Sequence, residues 1–216
     1  IFPSPVGGMV GLLTDVRQSC GQCWQETGDV IYLLGMGSDL IGSDTQETSE
    51  LITLGGSEYL ATVHHQVTGQ PPKVDDALEK KVQAVCREGI AKGWIRSAHD
   101  SSEGGLAIAL AESCIGSHRG ATVQLAIDST TSHRWDRVLF GEGGARIIVS
   151  IAPDHKAAWE AHLTQSLGQH WEKLGSVGAS KQSLQITTSD GVELVNVGVG
   201  EMGDRWSTAI DRRMAQ

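Results

Sequence analysis

Apolar and polar positions along the chain alternate between a period of two and a period near 3.6, and the switches mark the elements. Residues 6–13 and 29–34 are short, nearly continuous apolar runs, the second following the Thr27-Gly28 turn, and both predict buried strands. After Gly56-Ser57, the residues Leu60, Val63, His64 and Val67 recur on one helical face until Pro71-Pro72 stops the pattern. Asp75-Asp76 opens a second helix with Leu78, Val82, Val85 and Ile90 along its apolar side, and Gly93 closes it. Residues 94–99 predict a strand and 104–115 a helix. In 121–127, Val123, Leu125 and Ile127 alternate with Thr122, Gln124 and Ala126, as in a half-buried strand. Strands over 146–151 and 171–177 flank a helix over 154–167 that carries Trp159 and Leu163 on one side. Asp190-Gly191 between 184–188 and 192–197 is a hairpin signal. A last helix spans about 204–214.

Helices interleaved among strands, with at least one antiparallel hairpin, define a mixed α/β (α+β) class: a mixed sheet with helices. A boundary near Gly28 separates residues 1–27, the end of one domain, from a second domain over 28–216. The 216 residues suffice for a real core. Lys and Arg number 17 against 26 Asp and Glu, a net charge of −9 without an acidic block, so a nucleic-acid partner is not expected. No run of about 18 apolar residues is present, so no membrane is expected, and cytoplasmic localisation is. The first residue is Ile1 rather than Met, which suggests a piece of a longer protein.

Glycine, at 27 residues, gathers in turns between the periodic segments, where backbone must approach something closely. His99-Asp100-Ser101-Ser102-Glu103-Gly104-Gly105-Leu106 places a strand end and two glycines before an apolar helix. A helix start exposes free N–H groups and partial positive charge, so His99, Asp100, Ser102, Gly104 and Gly105 are candidates for an anion or nucleotide site. On the plainer reading Ser101 or Ser102 caps the helix and the glycines permit packing. Phe140-Gly141-Glu142-Gly143-Gly144-Ala145-Arg146 is a second glycine-rich turn, in which Arg146 is free to pair with Glu142 or with a phosphate. Gly55, Gly56 and Ser57 form a third, structural turn. No Walker loop occurs. Cys20 and Cys23 are close in sequence, but Cys86 and Cys114 stand singly on predicted helices, so neither a zinc site nor any other metal site is expected. His155 and His162 are expected on a solvated helix face.

Four motifs in order carry a resemblance: Pro-Ser-Pro-Val-Gly-Gly-Met-Val-Gly from Pro3 to Gly11, Gly-Gly-Ser-Glu-Tyr from Gly55, His-Asp-x-Ser-Glu-Gly-Gly-Leu from His99, and Phe-Gly-Glu-x-x-x-Arg from Phe140. From Phe2 to about Ile210 the chain is similar to the second half of the phosphoribosylformylglycinamidine synthase family, of the separate-subunit type. Its superfamily also holds aminoimidazole ribonucleotide synthase, selenophosphate synthetase and thiamine-monophosphate kinase. The resemblance implies the C-terminal domain of the second of two tandem modules, with 1–27 ending the barrel-forming N-terminal, ATP-binding domain. It implies an ATP- and Mg2+-dependent ligase of purine biosynthesis that makes formylglycinamidine ribonucleotide from formylglycinamide ribonucleotide and glutamine-derived ammonia. Implied partners are a glutamine amidotransferase subunit, a small bridging subunit and the N-terminal remainder of the synthase. No catalytic residue maps onto this chain, which alone is expected to be inactive and to bind no cofactor. Glu142, Gly143, Gly144 and Arg146 are positional equivalents of substrate contacts in the first module. Glycine at 143 and 144, where the family often has polar residues, removes side-chain donors. The alternatives are another ATP-dependent member of the superfamily and a non-catalytic structural half-domain.

Overall fold

The computed structural model describes residues 7–42, 45–130, 134–180 and 182–215. In chain order the elements are β1 (Val30–Gly35), α1 (Ser38–Gly42), α2 (Gln46–Leu51), α3 (Glu58–Val63), α4 (Asp76–Ala91), β2 (Ile95–Asp100) and α5 (Gly105–Ser117). They continue with β3 (Arg119–Gln124), α6 (Trp135–Phe140), β4 (Arg146–Ile151), α7 (Lys156–Leu167), β5 (Trp171–Ser180), β6 (Ser183–Thr187), β7 (Glu193–Gly198), α8 (Val199–Ser207) and α9 (Ala209–Met214).

The strands form one sheet in the order β2-β4-β1-β5-β3-β6-β7. Every neighbouring pair is antiparallel except β3 and β6. The period of two assigns the two faces. Tyr32 and Val149 are register partners, and Tyr32 Oη donates to Glu160 on α7 at 2.9 Å, so their face looks toward α7 and α4. His99 and Ile148 are partners, and His99 Nε2 lies 2.8 Å from Glu112 Oε2 on α5, so the alternate residues look the other way. Leu33, Leu34, Leu106, Leu110, Ile148, Ile151 and Trp159 are fully buried between these layers. Burying a Leu or Ile side chain of this kind stabilises by roughly 1.5–3 kcal/mol.

The mixed sheet with helices agrees with the class expected, and the 183–198 hairpin forms where Asp190-Gly191 places it. Asp75 caps α4 by accepting from the N–H groups of Ala77 and Leu78. Three expectations need correction. Gly7 to Leu13 adopt no regular strand, and Met9, Val10 and Leu12 are fully exposed because nothing in this body covers them; Val6 and Pro3 to Pro5 lie outside the described residues. The helix after Ser57 ends at Val63, with His65 in the left-handed region, so Val63 and Val67 are exposed. His162 is not solvated: it packs beside Trp94 and Trp159 with Nε2 3.2 Å from Glu88 Oε2.

Asp190 closes the β6–β7 turn onto the loop after β3. Its carboxylate accepts from the Ser129 N–H and hydroxyl at 3.0 and 2.5 Å and from Thr188 Oγ1 at 2.5 Å. These donors hold its pKa down at about 2, below the ordinary 3.8. A carboxyl with a depressed folded-state pKa contributes stability that is fully present above the unfolded value and is lost as pH falls toward the folded one. Stability should therefore fall between about pH 4 and pH 2, and Asp190→Asn should remove that component. Acid unfolding followed by circular dichroism checks this; superimposable profiles for the two proteins would contradict it.

Candidate functional site

Three glycine-rich segments separated by tens of residues converge on the carboxylate of Glu142. Its Oε1 accepts from the backbone N–H of Glu58, the first residue of α3, at 2.9 Å, and from that of Gly104, the residue before α5, at 2.8 Å. One negatively charged oxygen thus bridges two helix N-termini, where free N–H groups and the partial positive charge of each helix favour it. The backbone of Glu142 is fixed as well. It exchanges two hydrogen bonds with Thr53, Thr53 N to Glu142 O at 3.0 Å and Glu142 N to Thr53 O at 2.9 Å.

Local chemistry explains why each segment arrives there. Ser57 caps α3, its Oγ accepting from Leu60 N at 3.3 Å and donating to Leu54 O at 2.7 Å. Gly104 and Gly105 both hold positive φ, 76° and 69°, a region open to glycine at little cost. This left-handed pair turns the chain from β2 into α5 and lays the start of α5 on the Phe140-Gly141 backbone. A Cβ on Gly105 would stand 2.7 Å from the Gly141 carbonyl oxygen and 2.8 Å from the Phe140 carbonyl carbon. Gly143 passes so close to the Leu51 carbonyl that a side chain there would collide with it. Tyr59 stacks on Phe140, ring centroids 4.9 Å apart and planes 10° from parallel, which joins α3 to α6.

The expected anion site at the start of α5 is therefore met, at Gly104 N, by the protein's own carboxylate. Neither Ser101 nor Ser102 caps α5. Gly104 occupies the cap position, and Ser102 accepts from Gly105 N through its backbone carbonyl, at 3.1 Å. His99 turns inward to Glu112, while Asp100 is exposed, 3.6 Å from His99 Nδ1, too far for a hydrogen bond. Gly55 and Gly56 form the turn ahead of Ser57, and Gly144 stands next to Glu79, whose carboxylate accepts a short hydrogen bond from Ala145 N.

Arg146 lies elsewhere. Only 2% exposed, it points into the core toward the Gly141 carbonyl and pairs neither with Glu142 nor with solvent, so it does not present a substrate contact at the surface. Burial lowers its pKa to about 10, against the opposing pull of Glu172. Glu172 is itself buried, and desolvation raises its pKa even though it accepts from Ser38 N, Ser38 Oγ and Ala126 N. Arg146 Nε and Nη2 have no hydrogen-bond partner among the described residues.

All four cysteines are free. Burial raises the pKa of Cys20, and takes Cys86 and Cys114 to about 11, which keeps them as thiols rather than reactive thiolates. Among the described residues no group of three or more His, Cys, Asp or Glu side chains is arranged to hold a metal ion, and no helix is long and apolar enough to cross a membrane.

Known proteins resemble this chain in sequence and in fold. The phosphoribosylformylglycinamidine synthase subunit PurL of a Nostoc species is 52% identical over 215 residues, covering all of this chain and 26% of the relative. The subunit of the same name from Synechococcus elongatus is 47% identical over 216 residues, again 26% of its length. The chain thus spans about a quarter of the length of the curated relatives it matches. Among solved structures, Thermotoga maritima PurL complexed with FGAR superposes with a TM-score of 0.62 at 15% identity, over 87% of this chain and 30% of that one. The hydrogenase maturation protein HypE does so with a TM-score of 0.52 at 17% identity, over 84% and 56% of the two chains. Both show a common fold. Residues 26–186 match the family model described as AIR synthase related protein, C-terminal domain, and the chain belongs to that family.

Proposed function

We propose that residues 28–216 of this chain are the C-terminal domain of the second module of an ATP-dependent amidating synthase. The whole enzyme converts formylglycinamide ribonucleotide, glutamine-derived ammonia and ATP into formylglycinamidine ribonucleotide, ADP and phosphate, in the cytoplasm. The observation that carries the reading is 52% identity, along the whole chain, to a synthase subunit of that name. The exposed Met9, Val10 and Leu12 fit residues 1–27 belonging to a neighbouring domain that covers them. A glutamine amidotransferase subunit and a small bridging subunit supply ammonia in this reading. A solved structure of PurLQS from Thermotoga maritima, a neighbour in fold, is in keeping with such an assembly.

ATP and Mg2+ belong to the whole enzyme, and the residues of this chain do not fit them alone. The α5 start is bridged by Glu142, and the segment has no phosphate-cradling lysine loop. The contribution of the chain is accordingly to hold the second module closed rather than to move atoms.

A chimera tests this reading: the last quarter of a PurL-type subunit is replaced by this chain, and amidine formation is assayed with ATP, formylglycinamide ribonucleotide and ammonium chloride. The expected result is amidination by the chimera and none by the 216-residue chain alone. A folded chimera without amidine product, or turnover by the isolated chain, would refute the proposal.

A further inference from the structure

We infer that a groove between the C-terminal end of α5 and α8 is a binding site for a small arylalkyl amine, taken as its ammonium ion. The groove has a volume of about 680 Å³, within the range of cavities that enclose small organic ligands. Ile115 and His118 line it from the end of α5 and the residue that closes that helix, and Val199, Gly200, Gly203, Asp204 and Trp206 line it from α8. Two glycines keep it open. Gly200 and Gly203 are three residues apart and so lie on one side of α8, and a Cβ built on either meets nothing within 4 Å. Glycine in the interior of a helix weakens it relative to alanine, so the opening at Gly203 exists at a cost to α8. Ile115 and the buried Val199 supply apolar wall.

The polar groups that line the groove are unengaged. Among the described residues no hydrogen bond or ion pair involves the Asp204 carboxylate, the His118 ring or the Trp206 indole N–H. No Lys or Arg lines the groove, so the charge of Asp204 is available to whatever enters. In a chain of net charge −9 the surrounding potential also favours a cation over an anion. Trp206 is 67% exposed, which leaves its ring open to an ammonium group or to a second aromatic ring. A free carboxylate and an indole face beside apolar wall complement one chemistry, a cationic amine carried on an aromatic body. The ammonium donates to Asp204, a charge-assisted hydrogen bond, and the aryl group lies against Trp206 and Ile115 in the space the two glycines leave.

The test is heteronuclear NMR titration of the 216-residue chain with phenethylammonium, and with 2-phenylethanol and phenylacetate as neutral and anionic probes of similar shape. The expected result is saturable shifts at the Trp206 indole N–H and at the Gly200 and Gly203 amides with phenethylammonium, affinity about tenfold lower for 2-phenylethanol, and no saturation with phenylacetate. Gly203→Leu fills the opening with a good helix former, and should abolish the shifts without lowering the urea midpoint. Asp204→Asn should weaken phenethylammonium about tenfold and leave 2-phenylethanol unchanged. Shifts that do not saturate, equal affinity for the three probes, or undiminished phenethylammonium binding by either variant would each overturn the inference. It goes beyond the proposed synthase role, whose assay does not read this groove.

Discussion

Replacing Gly105 with alanine is expected to lower stability by about 3 kcal/mol, combining left-handed strain with overlap against backbone that cannot move aside. The Cβ would meet the Gly141 oxygen and the Phe140 carbonyl carbon at 2.7 and 2.8 Å, so α5 would have to lift off α6. Gly93 supplies an internal control. It holds the same φ of 69°, but a Cβ there meets nothing within 4 Å. Gly93→Ala should therefore cost about 1 kcal/mol, the conformational part alone. Urea unfolding of both variants separates the two contributions. Equal losses would mean that the α5–α6 approach contributes nothing and that the helix start is merely a turn.

Glu142→Ala should cost about 3 kcal/mol, because it leaves two backbone N–H groups at helix starts without their charged acceptor. Glu142→Gln keeps an acceptor oxygen but not the charge, and should cost about 1 kcal/mol. The order Ala, then Gln, then wild type follows from geometry, since Oε1 alone takes both bonds. Chemical denaturation in low salt checks it. A glutamine variant as damaged as the alanine one would show that charge rather than acceptance dominates.

The fold was legible wherever periodicity ran long enough. The apolar face of α4, the alternation in β3 and the Asp190-Gly191 hairpin all appear close to where pattern and turn chemistry place them. Three short helices escaped notice for a physical reason. α1, α2 and α6 have five or six residues each, too few turns for an apolar stripe to repeat, and tertiary contacts hold them. The apolar run before Leu13 looked like a strand because its sequence is that of one, but a strand needs a neighbour, and this body offers none.

At the site, the three glycine-rich turns could be found one at a time, and a helix start could be recognised as attractive to anions. Which anion fills it could not be read, because Glu142 lies 38 residues from Gly104 and 84 from Glu58. Nor could the sequence tell that Arg146, four residues after that carboxylate, is buried in the core against the Gly141 carbonyl rather than paired with Glu142. The strand that begins at Arg146 sets this direction: its odd and even positions face different helix layers.

Amide hydrogen exchange at Glu58 and Gly104 tests most directly whether one carboxylate ties the two helix starts together. In the wild-type chain both amides should be protected, and in Glu142→Gln both should exchange faster by a similar factor, about tenfold, while Ile148 in the core keeps its rate relative to global stability. If the two amides respond independently, or if neither changes, Glu142 does not join the segments.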